Sequence, residues 1–86
     1  MGEAWRAQVL HCDHFGNVIS NLPLRALARI KAVNGTRVRT VETYDEGEPS
    51  ELVGLMGSSG RIEFALREGS AAARLHTAPG ETLLVT

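Results

Sequence analysis

The run His11-Cys12-Asp13-His14-Phe15-Gly16-Asn17 places two imidazoles, a thiol, a carboxylate and an amide side by side. Several chemistries are open to such a cluster. A metal site is the first. If the chain is still extended at Asp13, side chains alternate, so His11 and Asp13 point one way and Cys12 and His14 the other. Four adjacent residues then cannot converge on one ion without a sharp break, and metal sites draw their ligands from separated elements. No metal is expected here. A nucleophilic Cys12 is weaker still, because the alternation parts it from His11 and no third group orients the pair. Cys12 reads instead as a small apolar residue.

The turn offers more. Gly16 permits a positive φ or the close approach of another backbone. The Asn17 amide carries a donor and an acceptor on one plane, the pattern that pairs with the edge of adenine. Asp13 is a carboxylate able to hold an ammonium group. Equally, Asp13 and Asn17 could hydrogen-bond their own turn, and spacing alone favours that second reading. A second candidate is Gly57-Ser58-Ser59-Gly60. Its small residues expose backbone N–H groups and two hydroxyls, which suit a carboxylate or phosphate, or else form a plain hairpin tip. Tyr44, ahead of an acidic loop, is either a stacking platform or a half-buried strand end.

These residues must be positioned by short elements. Turn signals recur at Phe15-Gly16-Asn17, Asn34-Gly35, Asp45-Glu46-Gly47, Gly57 to Gly60, Glu68-Gly69 and Pro79-Gly80. Between them lie runs with strand chemistry: 4–12, 30–33, 37–43, 52–56, 61–66 and 82–85. Asn34-Gly35 is a strong hairpin signal. In the fifth run Ile62, Phe64 and Leu66 share one face and Arg61 and Glu63 the other. Pro23–Ala28 reads as a short helical turn, and Ser70 as the N-cap of one or two turns beginning at Ala71. Trp5 is expected to anchor a core or an interface. Many short strands at regular spacing predict an all-β domain, a small antiparallel β-barrel with one or two short helical turns.

Composition bounds the rest. With 86 residues, one domain over 1–86 is expected. Nine basic and ten acidic residues leave a net charge of −1. A single-strand-binding barrel would want a basic groove with interleaved aromatics; one Trp, one Tyr and two Phe do not supply them, so nucleic acid is not an expected partner. No long apolar run suggests a membrane span, and neither a signal peptide nor a myristoylation signal is expected at the start. A single Cys forbids an internal disulfide and fits a reducing, cytoplasmic setting.

Three stretches, VLHCDHFGNVISNL, TVETYDE and ELVGLMGSSGRIEFALREGSAAARL, together resemble the C-terminal domain of the S-adenosylmethionine hydrolase (adenosine-forming) and halogenase family, which includes the fluorinases and chlorinases. The order Asp-x-Phe-Gly-Asn, Ser-Ser-Gly-x-x-Glu, Gly-x-Ala-Ala carries the resemblance, which spans Ala4 to Val85. It implies a β-barrel that grips the substrate, in a homotrimer whose sites lie between this domain and the N-terminal domain of a neighbouring subunit. By position, Asp13 would hold the methionine ammonium, Ser58 its carboxylate, Asn17 the adenine edge, with Phe15 framing the pocket, Tyr44 stacking on the purine and the Ala71 backbone lining it. Ser59 stands where the fluorinase pattern has Arg, which favours the hydrolase branch over a halogenase. Ser70 replaces a common Asn. Glu63 falls on an acid of the hydrolase-like members but receives no role. His11, Cys12 and His14 lie outside the motif. S-adenosylmethionine or adenosine is the implied ligand, as substrate, with no cofactor. The N-terminal domain of that family is not represented, so the chain resembles an excised domain, a remnant or one half of a split reading frame, without turnover of its own.

Overall fold

The structure is a computed structural model, describing residues 4–58 and 60–86. Eight strands form one sheet: β1 (Trp5–Cys12), β2 (Val18–Ser20), β3 (Ala32–Val33), β4 (Thr36–Arg37), β5 (Arg39–Thr40), β6 (Leu52–Met56), β7 (Ile62–Leu66) and β8 (Thr82–Val85), in the order β4-β3-β8-β1-β2-β7-β6-β5. The two edges of that order are β4 and β5, and only Val38 separates them in the chain. The sheet is thus nearly closed by its own covalent backbone, which leaves little free edge. Val38 is buried at this seam and its N–H donates to the Lys31 carbonyl at 2.8 Å. The expected all-β barrel is what is found, and its pairs are antiparallel except β5–β6, which run parallel. The strand expected over 37–43 is therefore two short pieces. It breaks at Val38, where the chain passes from one edge of the sheet to the other.

The helical expectations hold. A 3-10 helix covers Leu24–Arg29, and α1 spans Ala71–Leu75. The Ser70 hydroxyl accepts from the Ala73 N–H at 3.1 Å, satisfying one of the donors a helix start leaves open. Asn34 (φ 50°) and Gly35 (φ 80°) close the β3–β4 hairpin; both residues are left-handed, as a tight hairpin turn between right-twisted strands demands. No helix among the described residues is long and apolar enough to cross a membrane.

The core lies inside the barrel. Phe64, Ile62, Leu83, Val9, Val18, Val33 and Val85 are fully buried, each contributing on the order of 1.5–3 kcal/mol by leaving water. Ser20 is polar and equally buried; its hydroxyl donates to the Ile62 carbonyl (2.8 Å) and accepts from the Leu22 N–H (3.3 Å), which offsets its desolvation. Trp5 is half-buried at the edge of this core, with the Arg29 guanidinium 5.4 Å from its ring, a cation–π distance. On the outside of the sheet Val41, Val53 and Ala65 form a satellite cluster with Leu55.

One irregularity positions the site. Val9 pairs with Ser20 but His11 pairs with Ile19, so Leu10 is an extra residue, a β-bulge. Before the bulge the inward residues of β1 are Ala7 and Val9; after it the inward one is Cys12, half-buried against the core, while Leu10 is 42% exposed and His11 is exposed. A bulge shifts the alternation by one residue. Without it, Asp13 would share the inward face of Ala7 and Val9.

Candidate functional site

The β1–β2 turn is held by Asp13. Its Oδ1 accepts the backbone N–H groups of Phe15 and Asn17, each at 3.0 Å, and its Oδ2 accepts from the Asn17 amide at 3.1 Å. The backbones add Gly16 N–H to Asp13 C=O (2.9 Å) and Asp13 N–H to Asn17 C=O (3.1 Å). The self-bonded turn favoured by spacing is thus present. It does not exhaust the side chains. One amide N–H of Asn17 is used; its other N–H and its Oδ1 meet no hydrogen-bond partner among the described residues. A carboxylate has about four lone-pair sites, and three are occupied on Asp13. The turn therefore presents a fixed amide edge and a fixed carboxylate. Desolvation would raise the Asp13 carboxyl, but the bonds from Asn17 and Phe15 and the neighbouring His14 outweigh it and hold it below the ordinary aspartate range.

Gly16 binds this turn to α1. It has φ +86°, and a Cβ there would overlap the Ser70 side chain and stand 2.8 Å from Ser70 Cα. Its carbonyl accepts from the Ala72 N–H at 2.8 Å. Ala71, fully buried, packs into the core beneath. Of the two uses of glycine open at this position, positive φ and close approach, the structure shows both.

Tyr44 begins a 3-10 helix, Tyr44–Glu46, rather than ending a strand. Its hydroxyl donates to the Leu66 carbonyl at 3.3 Å, and Arg67 donates to the Gly47 carbonyl at 2.9 Å. These bonds fasten the loop to the end of β7, next to the β1–β2 turn. Phe15, Asn17 and Tyr44 consequently line one concavity of about 440 Å³, together with Glu68 and Gly69. Phe15 is 69% exposed and Tyr44 40% exposed. Such exposure leaves both rings available, and two aromatic rings beside a planar amide suit a flat, hydrogen-bonding heterocycle. Glu68 and Gly69 were legible only as a turn; Glu68 adopts φ +62°, and nothing local in the sequence signals that this turn faces Tyr44.

Ser58 lies in the exposed β6–β7 turn, and Ser59 lies outside the described residues. The turn is closed by Gly57 N–H to Arg61 C=O at 2.8 Å and Gly60 N–H to Gly57 C=O at 3.0 Å. Glu63, on β7, packs against this turn. Its side chain fills the space a Cβ on Gly57 would take, and its carboxyl is pushed up by burial and by the Asp13 charge. Burial, with Asp13 adding to it, likewise raises the Cys12 thiol, which keeps it in the poorly nucleophilic form. Among the described residues no three His, Cys, Asp or Glu side chains gather as metal ligands.

Residues 7–84 match the family model described as SAM hydroxide adenosyltransferase C-terminal domain. The chain is 36% identical to an (R)-S-adenosyl-L-methionine hydrolase of Salinispora tropica across 98% of its own length and 33% of that protein. It is 35% identical to a Thermus thermophilus protein of the same name across 80% and 27%. A conserved hypothetical protein of Thermus thermophilus of known structure superposes with a TM-score of 0.78 at 31% identity, over 94% of this chain and 34% of the other. An uncharacterized conserved protein from Thermotoga maritima shares the fold, with a TM-score of 0.84 at 22% identity over 99% and 36%. The chain spans about a third of the length of these relatives.

Proposed function

From the premise that this chain belongs to the SAM hydroxide adenosyltransferase C-terminal domain family, we propose that it is the substrate-gripping domain of an S-adenosylmethionine hydrolase. Asn17 reads the adenine edge, Phe15 and Tyr44 cover the purine, and the Ala71 segment lines it. Asp13 holds the methionine ammonium, and Ser58, with Ser59, its carboxylate. The observation that carries this reading is that Tyr44, distant in sequence, meets Phe15 and Asn17 of the β1–β2 turn around one open concavity.

The reaction is attack of water or hydroxide on the 5′ carbon of the nucleoside. A C–O bond forms, the C–S bond breaks, its electron pair returns to sulfur, and a proton leaves to solvent, giving adenosine and methionine. The leaving sulfur is already positive, so the step needs no cofactor and little acid catalysis. Placement and desolvation of the nucleophile set the rate. The share of this domain is to fix both ends of the substrate, and binding energy from such remote groups can be spent on orienting the reacting carbon. The strongly exposed Phe15 ring and the partly exposed Tyr44 ring leave one side of the concavity for another surface. In this reading that surface is the N-terminal domain of a neighbouring subunit in a cytoplasmic homotrimer, which supplies the nucleophile. Water is favoured over halide because the relatives are named as hydrolases.

Adenosine added to the isotope-labelled chain tests the grip. Amide shifts should concentrate at Phe15, Asn17, Tyr44 and Gly69. Shifts confined to other surfaces, or none at millimolar ligand, would remove the purine assignment.

A further inference from the structure

Asn34 does more than turn a hairpin. Its backbone N–H donates to the Leu84 carbonyl at 2.8 Å. Its Oδ1 accepts from the Leu84 N–H at 2.9 Å, and its Nδ2 donates to the Leu75 carbonyl at 3.1 Å. A carbonyl only accepts and an N–H only donates, so these partners fix which amide atom faces which. One side chain thus pins the end of α1 to β8, across 41 and 50 residues of chain.

The same amide is chemically fragile. Gly35 follows it, and a Cβ there would meet nothing within 4 Å. No hydrogen bond among the described residues holds the Gly35 N–H. A backbone nitrogen so unhindered can attack the neighbouring amide. The Gly35 nitrogen bonds to Asn34 Cγ, the Cγ–Nδ2 bond breaks, and ammonia leaves with the Gly35 proton. Water then opens the cyclic imide at either carbonyl, giving aspartate or isoaspartate. Ring closure must swing Cγ onto the Gly35 nitrogen, which breaks both side-chain bonds.

We propose that Asn34-Gly35 is a spontaneous deamidation site that the fold itself guards, and that its conversion unpins α1. Either product removes the donor to the Leu75 carbonyl and sets a carboxylate against it. Isoaspartate also lengthens the backbone of a two-residue turn. α1 is only five residues long, so a release at its end reaches its start. There Ser70 and Ala72 meet Gly16, and the β1–β2 turn loses its support. The reaction needs only water and does not depend on which ligand the concavity takes.

The test ages the chain folded and in urea at the same mildly alkaline pH and follows aspartate and isoaspartate by peptide mapping. Conversion at Asn34 should be at least about tenfold slower in the folded chain, the factor expected when two hydrogen bonds must open first. Equal rates would overturn the guard. Asn34→Asp then mimics one product. Its amide spectrum should differ from the parent's at Gly16, Ser70 and Ala72 as well as in the hairpin. Differences confined to residues 33–36 and their β8 partners would overturn the link to α1. If Asn34→Asp does not fold, the aged parent, separated by charge from its unmodified form, supplies the same comparison.

Discussion

The contact between Gly16 and Ser70 joins the β1–β2 turn to α1, and Gly16→Ala tests whether that junction holds the two together. A Cβ at position 16 would stand 2.6 Å from Ser70 Cβ and 2.8 Å from its Cα. Neither atom is the tip of a flexible side chain, so α1 itself must move. Three contributions follow. An alanine forced to φ near +86° costs about 1 kcal/mol. Displacing Ser70 forfeits its cap on Ala73, about 1 kcal/mol. The bond from Ala72 N–H to the Gly16 carbonyl is lost for about 1 kcal/mol more. Together these approach roughly 3 kcal/mol, against about 4–13 kcal/mol for a domain of this size. With a urea slope of about 1 kcal/mol per molar, the unfolding midpoint should fall by about 3 M. Gly35→Ala is the control. It has φ +80° and nothing within 4 Å of the point where a Cβ would stand, so it bears only the backbone contribution and should shift by about 1 M. Equal shifts for the two variants would refute the close approach, and with it the coupling of turn to helix.

Asn17→Ala should weaken adenosine by about tenfold, the worth of one buried recognition bond, as read by calorimetry; unchanged affinity would remove the adenine-edge role. Asp13→Asn should weaken S-adenosylmethionine more than adenosine in the same titration, because only the former carries an ammonium. Ser20→Ala should lower stability by about 1–2 kcal/mol in urea, since the Leu22 N–H and Ile62 carbonyl lose a buried partner. The two carboxylates should respond to pH in opposite senses. Asp13 is lowered in the folded chain, so its contribution is whole above the ordinary aspartate range and is lost as pH falls through the folded value. The deficit of Asp13→Asn in urea at pH 7 should therefore close in acid. Glu63 is raised, so its contribution is present below the ordinary glutamate range and lost as pH rises through the folded value. Glu63→Gln should accordingly be more resistant to urea than the parent at pH 7, and equal to it in acid.

The strand-rich barrel was legible because its signals are local. Alternation of Ile62, Phe64 and Leu66, the Asn34-Gly35 hairpin and the Ser70 cap each depend on neighbours within a few residues, and each appears where expected. The motif order along the chain likewise sufficed to indicate the family. Other features were not readable, because they arise from pairings between distant residues. The bulge at Leu10 shows no turn residue in the sequence, yet it moves Asp13 to the outer face. The break at Val38 follows from the need to carry the chain between two sheet edges. Tyr44 reaches Phe15 and Asn17 only because its loop is tied to the end of β7. Residue types and their spacing thus determined which groups were available and that they sit on short strands and turns. Which of them face one another was decided by closure of the sheet, since register and bulges minimise the free energy of the whole core rather than of any one segment.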